Sequence, residues 1–239
     1  MQPTLLVSIL LLALGSCAGP TSGRAPSPAP PPADDLGLAP VQGPLVFPPE
    51  TREVNYAWLV DELARLTGQE LVYDAGVRQA LEQEQEFLDQ TAPVPADEVY
   101  PFIEALLIQR GYALALLKTG TPTMVEVLHP RSSGRTEIPA VVVQEHQLAA
   151  LARHPALLAQ HAMTFRNLDS RQLQTQLRQL LVDPSGISNV VPAGERSLLI
   201  QSYGMRITRL ASLLGEVDRA SAVVRVPPPT QAEQAATPR

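Results

Sequence analysis

The sequence predicts an α+β protein built from two small two-layer α/β sandwiches, which follow a signal peptide and a disordered proline-rich tether. Leucine and alanine recur at the spacing of amphipathic helices at residues 59–66 and 173–181. Short runs of β-branched and aliphatic residues separate these helices and predict strands. Proline-rich segments flank this part of the chain on both sides and predict disorder, because proline and small residues cannot form a core.

Residues 5–14 form an almost purely apolar run. The run is shorter than the roughly 20 residues that span a bilayer as a helix, but it has the length of the apolar region of a signal peptide. It leads into Leu14-Gly15-Ser16-Cys17, which resembles the lipobox of bacterial lipoproteins. We therefore expect residues 1–17 to be a lipoprotein signal peptide, with lipid attached to Cys17. An ordinary cleaved signal peptide with an incidental cysteine is the alternative.

Residues 18–43 are rich in proline and predict a semi-rigid tether in extended geometry. Residues 222–239 have a similar character and predict a disordered tail. A diacylated cysteine would anchor the chain stably to a membrane. The residue after it is Ala18 rather than Asp. By resemblance to enterobacterial sorting, this implies the periplasmic face of the outer membrane, with the inner membrane as the alternative.

The first folded unit is expected at residues 44–130. Gly68 should end its first helix in the left-handed conformation, and the order of its strands in the sheet stays open. The expected elements are a short strand or entry segment at 52–56, a helix at 59–66, a strand at 70–73, a turn at 74–76, a charged connection at 82–86, a strand at 86–89, a helix at 96–110 and a hairpin of 112–117 with 124–128.

The second folded unit is expected at residues 138–221. Asp169-Ser170-Arg171-Gln172 has the pattern of a capping box, which starts a helix. The predicted order of strand, helix, strand, strand, helix would place two helices on one face of a small sheet. The expected elements are a strand at 140–143, a helix at 147–153, a strand at 157–165, a helix at 170–181, strands at 187–191 and 197–201, and a helix at 205–218.

Parts of both units resemble the periplasmic ring domains of bacterial secretins. In the second unit the resemblance lies in residues 163–169 (Met-Thr-Phe-Arg-Asn-Leu-Asp), the leucine-lined helix, the strand at 197–200 and the helical pattern that ends in Val217-Asp218. In the first unit it lies in residues 54–73 and 105–112, which are similar to the more amino-terminal secretin domain. Some outer-membrane receptors share that domain as a signalling domain.

The resemblance implies a part in protein secretion, because such domains stack side by side into rings in secretins. It implies a non-enzymatic assembly or adaptor subunit of a secretin-type machine, such as type II secretion, or of a pilus-like machine. Its partners would be a secretin, other secretion subunits or a second copy. Nothing after Ser221 predicts the membrane β-barrel of a secretin, so we expect no pore. The alternative is a signalling or receptor adaptor that uses the first unit to bind another envelope protein.

Charge and side chains argue against other functions. The net charge of −6 disfavours non-specific binding of nucleic acid, and the single cysteine excludes an internal disulfide. The four histidines lack a matching set of zinc ligands and are expected to be packed or on the surface. They are His129, His146, His154 and His161.

The acidic residues 82, 84, 86 and 89 lack the glycine turn of a calcium loop and predict a solvated connection. Asp97 and Glu98 begin a helix, where negative charge favours the positive end of the helix dipole. Tyr56 and Trp58 are expected to pack against the sheet, with a surface contact as the alternative. We therefore expect no catalytic residue, no cofactor and no metal site, and we expect that the protein is not an enzyme.

Overall fold

The computed structural model describes residues 36–48, 53–73, 75–88, 92–131, 138–180 and 186–223, all of which belong to one compact unit. Its mixture of helices and small sheets confirms the predicted α+β class. The elements are β1 (Glu53–Asn55), α1 (Tyr56–Thr67), β2 (Glu70–Tyr73), α2 (Ala75–Gln83), β3 (Gln85–Phe87), α3 (Val99–Gln109), β4 (Ala113–Lys118), β5 (Met124–Leu128), β6 (Val141–Val143), α4 (Leu148–Leu151), β7 (Leu158–Thr164), α5 (Ser170–Leu180), β8 (Asn189–Pro192), β9 (Ser197–Tyr203) and α6 (Gly204–Val223).

A three-stranded sheet and a two-stranded ribbon organise the first half of the chain. The sheet has the order β2-β5-β4, with β2 parallel to β5 and β4 antiparallel to β5. Strands β1 and β3 pair in an antiparallel ribbon. The predicted hairpin of β4 and β5 is confirmed. The strand order that the sequence left open follows from the parallel pairing of β2 with β5.

Local signals in the sequence explain where α1 begins and ends. The side-chain oxygen of Asn55 accepts a hydrogen bond of 2.7 Å from the Trp58 amide, which satisfies one of the free amides of the first turn. Gly68 follows the helix with a φ of 68° and donates its amide to the Ala64 carbonyl. Glycine adopts this conformation without a steric penalty. The prediction that Gly68 ends the helix is therefore confirmed.

The predicted turn at 74–76 and the predicted charged connection at 82–86 are wrong. Helix α2 occupies most of this stretch, because Val77 and Leu81 lie one helical turn apart and are both buried in the core. The chain passes from the helix into β3 within one residue. Glu82 therefore belongs to the end of a helix and Glu86 to a strand, with Glu84 as the single residue between them, and Asp89 lies outside the described residues.

A four-stranded sheet with helices on one face forms the second half. Its order is β6-β7-β9-β8, with β6 parallel to β7 and the other neighbours antiparallel. Helices α5 and α6 pack on the same face and bury their leucine stripes against the sheet. The predicted order of strand, helix, strand, strand, helix is confirmed as β7-α5-β8-β9-α6, with β6 and α4 in front of it.

An amino-terminal strap, residues 36–48, packs on the first half, although composition assigns most of it to the tether. Its four large apolar side chains that are buried in the core are Leu36, Leu38, Leu45 and Phe47. Leu45 exchanges two backbone hydrogen bonds of 2.9 Å with Val94. The prediction that the tether reaches residue 43 is therefore wrong, since the leucines among its prolines gain free energy from burial.

Residues 1–35 and 224–239 lie outside the described residues, and most of the predicted tether and tail fall there. Helix α6 extends to Val223, so the first two residues of the predicted tail are helical. In the described ranges no helix combines the length and apolar character needed to cross a membrane. The division into separate domains at 44–130 and 138–221 stays a prediction, and one apolar core cluster runs through both halves.

Gly204 begins α6 where this helix abuts the end of α4. A Cβ atom at this position would collide with the His154 carbonyl oxygen and lie 2.9 Å from Leu151 Cδ1. We expect Gly204→Ala to lower the free energy of unfolding by about 2 kcal/mol, because overpacking must displace backbone. Urea denaturation measures this change. The matched control is Gly215→Ala in the same helix, where the space is open; it should raise stability by about 0.5 kcal/mol. Equal effects of the two substitutions would contradict the packing described here.

Candidate functional site

Glu104 and His154 form a buried pair between the two halves. Glu104 lies on α3 and His154 in the loop after α4, and both side chains are removed from solvent. One carboxylate oxygen lies 2.9 Å from His154 Nδ1, and the other accepts a hydrogen bond of 2.8 Å from the Ala156 amide. Both oxygens of the carboxylate are therefore bonded, which offsets the free energy lost when a charge leaves water.

Backbone contacts also join the two halves next to this pair. The pair and these contacts together are called here the junction. Leu114 on β4 donates its amide to the Ala156 carbonyl at 3.0 Å and forms a parallel bridge with Leu157. Arg153 donates to the carbonyl of Asp97 in the turn before α3. The outer edge of β4 is thereby joined to the residues that lead into β7. Side-chain and backbone bonds together hold the two halves as one body.

The apolar pattern of α3 puts Val99, Phe102, Ile103, Leu106 and Leu107 on one face and predicts that this face is buried. Val99, Ile103 and Leu107 are buried, but Phe102 and Leu106 are only half-buried. The helix also buries Tyr100 and Glu104, which the apolar pattern does not predict. A signal was present, since Tyr100, Glu104 and Leu107 recur at helical spacing. A glutamate within an otherwise apolar stripe indicates a buried partner.

Two other histidines, His161 and His129, make contacts that do not involve the Glu104–His154 pair. His161 on β7 is buried, and its Nδ1 donates to the Val143 carbonyl at 2.8 Å. The His129 ring packs edge-on against Tyr112, with a centroid distance of 5.4 Å. Over the ranges that the structure describes, no three His, Cys, Asp or Glu side chains are grouped so that they could hold a metal ion.

An ion pair ties α2 to α1. Arg78 donates to the two carboxylate oxygens of Asp61 at 2.6 and 2.9 Å, and to Glu82 at 3.0 Å. Its guanidinium group also lies 5.3 Å from the centre of the Tyr73 ring. All of these groups are at least partly exposed, so the pairs position the helix more than they stabilise the fold.

A second network surrounds Glu86 on β3. The carboxylate accepts a hydrogen bond of 2.6 Å from the Tyr56 hydroxyl and lies 3.3 Å from Arg110. Burial and this hydrogen bond raise the pKa of Tyr56 to about 12, and the same bond lowers the pKa of Glu86. Tyr56 is buried in the core, as predicted. Trp58 is half-buried, and its ring centroid lies 5.9 Å from that of Phe47.

Two segments of the second half that carry the resemblance to secretin domains, residues 163–169 and the end of α6, lie next to each other. Asp218, near the end of α6, accepts backbone hydrogen bonds from Arg166, Asn167 and Leu168 at 3.0, 2.8 and 3.1 Å. Desolvation of the carboxyl group raises its pKa, but the three amides outweigh this effect and lower the pKa of Asp218 overall. Asp218 thereby fixes the loop between β7 and α5 to the end of α6.

The face of the four-stranded sheet opposite α5 and α6 divides into two parts. The part around Leu158 and Tyr203 packs against Ala113 and Ala115 of the first half. The remaining part, called here the open face, carries only uncharged side chains, and Val142 and Val191 on it are 64% and 43% exposed. Its residues are Val142, Gln160, Ala162, Thr164, Asn189, Val191, Ser197, Leu199 and Gln201.

The outer edges of this sheet are poorly suited to the addition of another strand. At β8 the Gln174 side chain donates to the Val190 carbonyl at 3.1 Å, and Pro192 has no amide to offer. At the opposite edge, β6 is only three residues long. Short or blocked edges disfavour strand pairing. The open face is therefore a better candidate for protein contact than either edge.

The β1–β3 ribbon carries a second exposed apolar group. Phe87 on β3 is 61% exposed and stands opposite Glu53 in the register of the ribbon. Large aromatic side chains contribute strongly when a partner buries them. The ribbon is therefore a second candidate surface. Leu14, Gly15, Ser16 and Cys17 lie outside the described residues, so lipid attachment stays a prediction.

The buried pair predicts strong coupling between two substitutions. Glu104→Ala should lower the free energy of unfolding by about 3 kcal/mol, because it leaves the Ala156 amide and His154 without their partner. His154→Ala should cost at least about 1 kcal/mol less in the Glu104→Ala background than in the parent protein. Urea denaturation of the four proteins measures the cycle. Glu98→Ala, at an exposed position just before the same helix, should change stability by less than about 0.5 kcal/mol. Additive losses would show that the two side chains do not stabilise each other.

No family model matches the chain, and no curated protein sequence matches it. Among solved structures, a chain of the Klebsiella pneumoniae type II secretion system outer membrane complex (PulD, PulS and PulC HR domain) matches with a TM-score of 0.53. The sequences are 17% identical, and the match covers 70% of this chain and 26% of that chain.

Two further structures match with lower TM-scores. The GspC–GspD complex of enterotoxigenic Escherichia coli has a TM-score of 0.27 and 14% identity, with coverage of 74% of this chain and 98% of that chain. The N-terminal domain of the secretin XcpQ from Pseudomonas aeruginosa has a TM-score of 0.23 and 15% identity, with coverage of 74% and 63%. The match to the Klebsiella complex confirms the predicted resemblance at the level of fold. The chain has a mixed α+β fold that resembles the ring domains of secretins.

Proposed function

We propose that this chain is a non-enzymatic periplasmic lipoprotein that acts as an assembly or adaptor subunit of a secretin-type secretion or pilus-like machine. The observation that carries the proposal is the likeness of its fold to a chain of the type II secretion outer membrane complex. That complex contains PulD, PulS and the PulC HR domain. The proposed partners are accordingly a secretin, another secretion subunit or a second copy. The chain spans only 26% of the matched chain, so the role of that whole protein is not carried over.

The open face supports a role in protein contact. The centres of protein interfaces are depleted of charged residues, because desolvating a charge is unfavourable. The open face has no charged side chain, although charged residues make up 18% of the sequence. Val142 and Val191 supply apolar area, and the glutamine, asparagine and threonine side chains around them can form hydrogen bonds with a partner. A pleated surface of this kind suits packing against another subunit.

The junction supports an adaptor rather than a flexible linker of two modules. Glu104, His154 and the β4 edge hold the two halves through buried bonds. The open face of the second half and the ribbon of the first half are therefore presented in a fixed relation. When a partner contacts both surfaces, this chain would lose little conformational entropy, because the two surfaces are already held in place.

A signalling or receptor adaptor is the second candidate function. Phe87 favours it, because this exposed aromatic side chain lies on the first half, whereas the open face belongs to the second half. In this alternative the ribbon binds another envelope protein, and the open face contributes little. The two candidates therefore differ in which surface a partner requires.

Recovery of partners from envelope extract tests the proposal. The full chain, with a carboxyl-terminal tag, is cross-linked in its own bacterium and extracted in detergent, and proteins bound to it are identified by mass spectrometry. We expect secretion subunits or a second copy. The double variant Val142→Arg/Val191→Arg should reduce their recovery by about tenfold or more, since two charges would have to be desolvated in the contact.

Two further variants complete this test. Gln83→Arg adds a charge at an exposed position on α2 and should leave recovery unchanged. Phe87→Ser discriminates between the candidates, since loss of the partner in this variant alone would support the receptor adaptor. An unchanged set of partners in the double arginine variant would reject the open face as the contact surface.

The lipid anchor has its own test. In the proposal, Cys17 carries the acyl chains, which together supply about 0.8 kcal/mol for each buried methylene. Cys17→Ser should therefore move the chain from the membrane fraction to the soluble periplasmic fraction or block its processing. Mass spectrometry of the mature amino terminus should show a diacylated cysteine at position 17 in the parent protein. An unmodified amino terminus at another residue would contradict the anchor and leave the ordinary cleaved signal peptide.

A further inference from the structure

Strand β2 forms one edge of the three-stranded sheet, and its outer side carries unpaired backbone groups. Over the described residues, β2 pairs with β5 and with no other strand. The Glu70 amide donates to the Thr123 carbonyl at 2.9 Å, which places the backbone groups of Glu70 and Val72 on the side of β5. Because these groups alternate along a strand, Leu71 and Tyr73 direct their amides and carbonyls outward. This edge therefore offers two donors and two acceptors.

Strand β2 lacks most of the features that protect the edges of sheets. It has only four residues, but none of them is proline, and no bulge interrupts its pairing with β5. The other edges are less accessible, because β4 is used by the junction, Gln174 and Pro192 block β8, and β6 is shorter still. Among the described edges of the two sheets, β2 is therefore the best suited to pair with another strand.

The side chains of β2 define the chemistry of such a strand. Leu71 and Tyr73 pack against the core but are half-buried, so part of their apolar surface can still be covered. On the other face, Glu70 is exposed and forms no ion pair with any described residue. The described residues up to 131 include eleven acidic and five basic side chains. The edge thus favours an extended segment that is apolar on one face and basic on the other.

The sequence that follows α6 has this pattern. The helix ends at Val223, and Val224-Arg225-Val226 comes next, followed by prolines at 227–229. Valine is favoured in strands. Two valines separated by one residue fall on the same face of an extended chain, and Arg225 falls on the opposite face. Pro227 has no amide, so pairing in this direction would end there.

The position of this segment favours contact with a second copy rather than with β2 of the same molecule. Gly204 begins α6 against His154 in the junction, and a helix of 20 residues is about 30 Å long. Near its other end, Asp218 is bonded to the loop after β7, at the end of that strand opposite the junction. The segment therefore begins far from the junction, and Val224 follows the helix directly.

We propose that residues 224–226 of one copy add to the outer edge of β2 of a second copy as an antiparallel strand. Val224 pairs with Tyr73 and Val226 pairs with Leu71, which uses all four outward backbone groups and covers the half-buried side chains. Arg225 then lies on the same face as Glu70 and is its diagonal neighbour, within reach of a long side chain.

This register also explains why the contact stops after one strand. Pro227 stands opposite Glu70, where the backbone of the added strand points away from β2. The missing amide therefore removes no bond to β2 but blocks the new outer edge. The contact joins two different surfaces of the chain, so its repetition gives a ring or an open row of copies.

The inference goes beyond the proposed function, which names a second copy among several partners. It rests on the edge of β2 and on the sequence after α6, and neither the open face nor the lipid anchor enters it. Purified protein alone tests it, whereas recovery from envelope extract tests the proposed function. Failure of one therefore leaves the other standing.

Association of purified full-length chains in excess detergent tests the contact. Two preparations with different carboxyl-terminal tags are mixed over a range of concentrations, and the recovery of one with the other is measured. Glu70→Arg and Arg225→Glu should each weaken association by about tenfold or more, because like charges then face each other. Both substitutions in one chain should restore the association of the parent protein, since the two charges are exchanged.

Proline substitutions test the backbone pairing. Val224→Pro/Val226→Pro removes the two amides that would donate to β2 and should abolish association. The matched control is Ala232→Pro/Ala235→Pro, farther along the same tail, which should leave association unchanged.

A mixture of two variants tests whether the contact lies between copies. The double proline variant keeps the edge of β2, and Glu70→Arg keeps the tail. At a concentration at which neither associates alone, the mixture should form pairs. The proposal is overturned if the parent protein does not associate, if the two proline pairs act equally, if exchanged charges do not restore association, or if the mixture forms no pairs.

Discussion

The burial of one carboxylate, that of Glu104, constrains the rest of this structure. A charge removed from water without partners is unfavourable by several kcal/mol, so its neighbours must supply bonds in a fixed geometry. His154 and the Ala156 amide do so from the second half of the chain. To bring them into place, α4 must end beside α3, and the chain must then enter β7 alongside β4. The contacts of Leu114, Arg153 and Gly204 follow from this placement.

Sequence patterns predicted the elements more reliably than their surroundings. The stripe of α1, the glycine that ends it and the hairpin of β4 and β5 were visible because spacing and turn residues act locally. Only part of the face that α3 buries was visible, because Phe102 and Leu106 are as apolar as the residues of the true core, such as Ile103 and Leu107. Only the tertiary contact with His154 selects Tyr100 and Glu104 instead. The same holds for Leu36 and Leu38, whose proline-rich context hides their burial.

The edge strands of the two sheets influence which surfaces a partner can contact. In the three-stranded sheet, β4 is occupied by the junction; in the four-stranded sheet, β8 is blocked by Gln174 and Pro192. A strand-rich protein with blocked edges resists uncontrolled pairing with other strands. Two surfaces that stay accessible in the described residues are a pleated face without charge and a small ribbon that bears Phe87. Both are surfaces on which side chains, rather than backbone groups, would decide which partner binds.

The strap also imposes an order on folding. Polypeptides are made amino terminus first, so residues 36–48 exist before any of their partners do. Leu45 pairs with Val94, and Ala39 accepts from Tyr100, about fifty to sixty positions later in the chain. Contacts this distant in sequence form only after the intervening loop has been closed. The first of the described segments to emerge can therefore dock only after Tyr100 has been made, and until then its leucines are not covered by these partners.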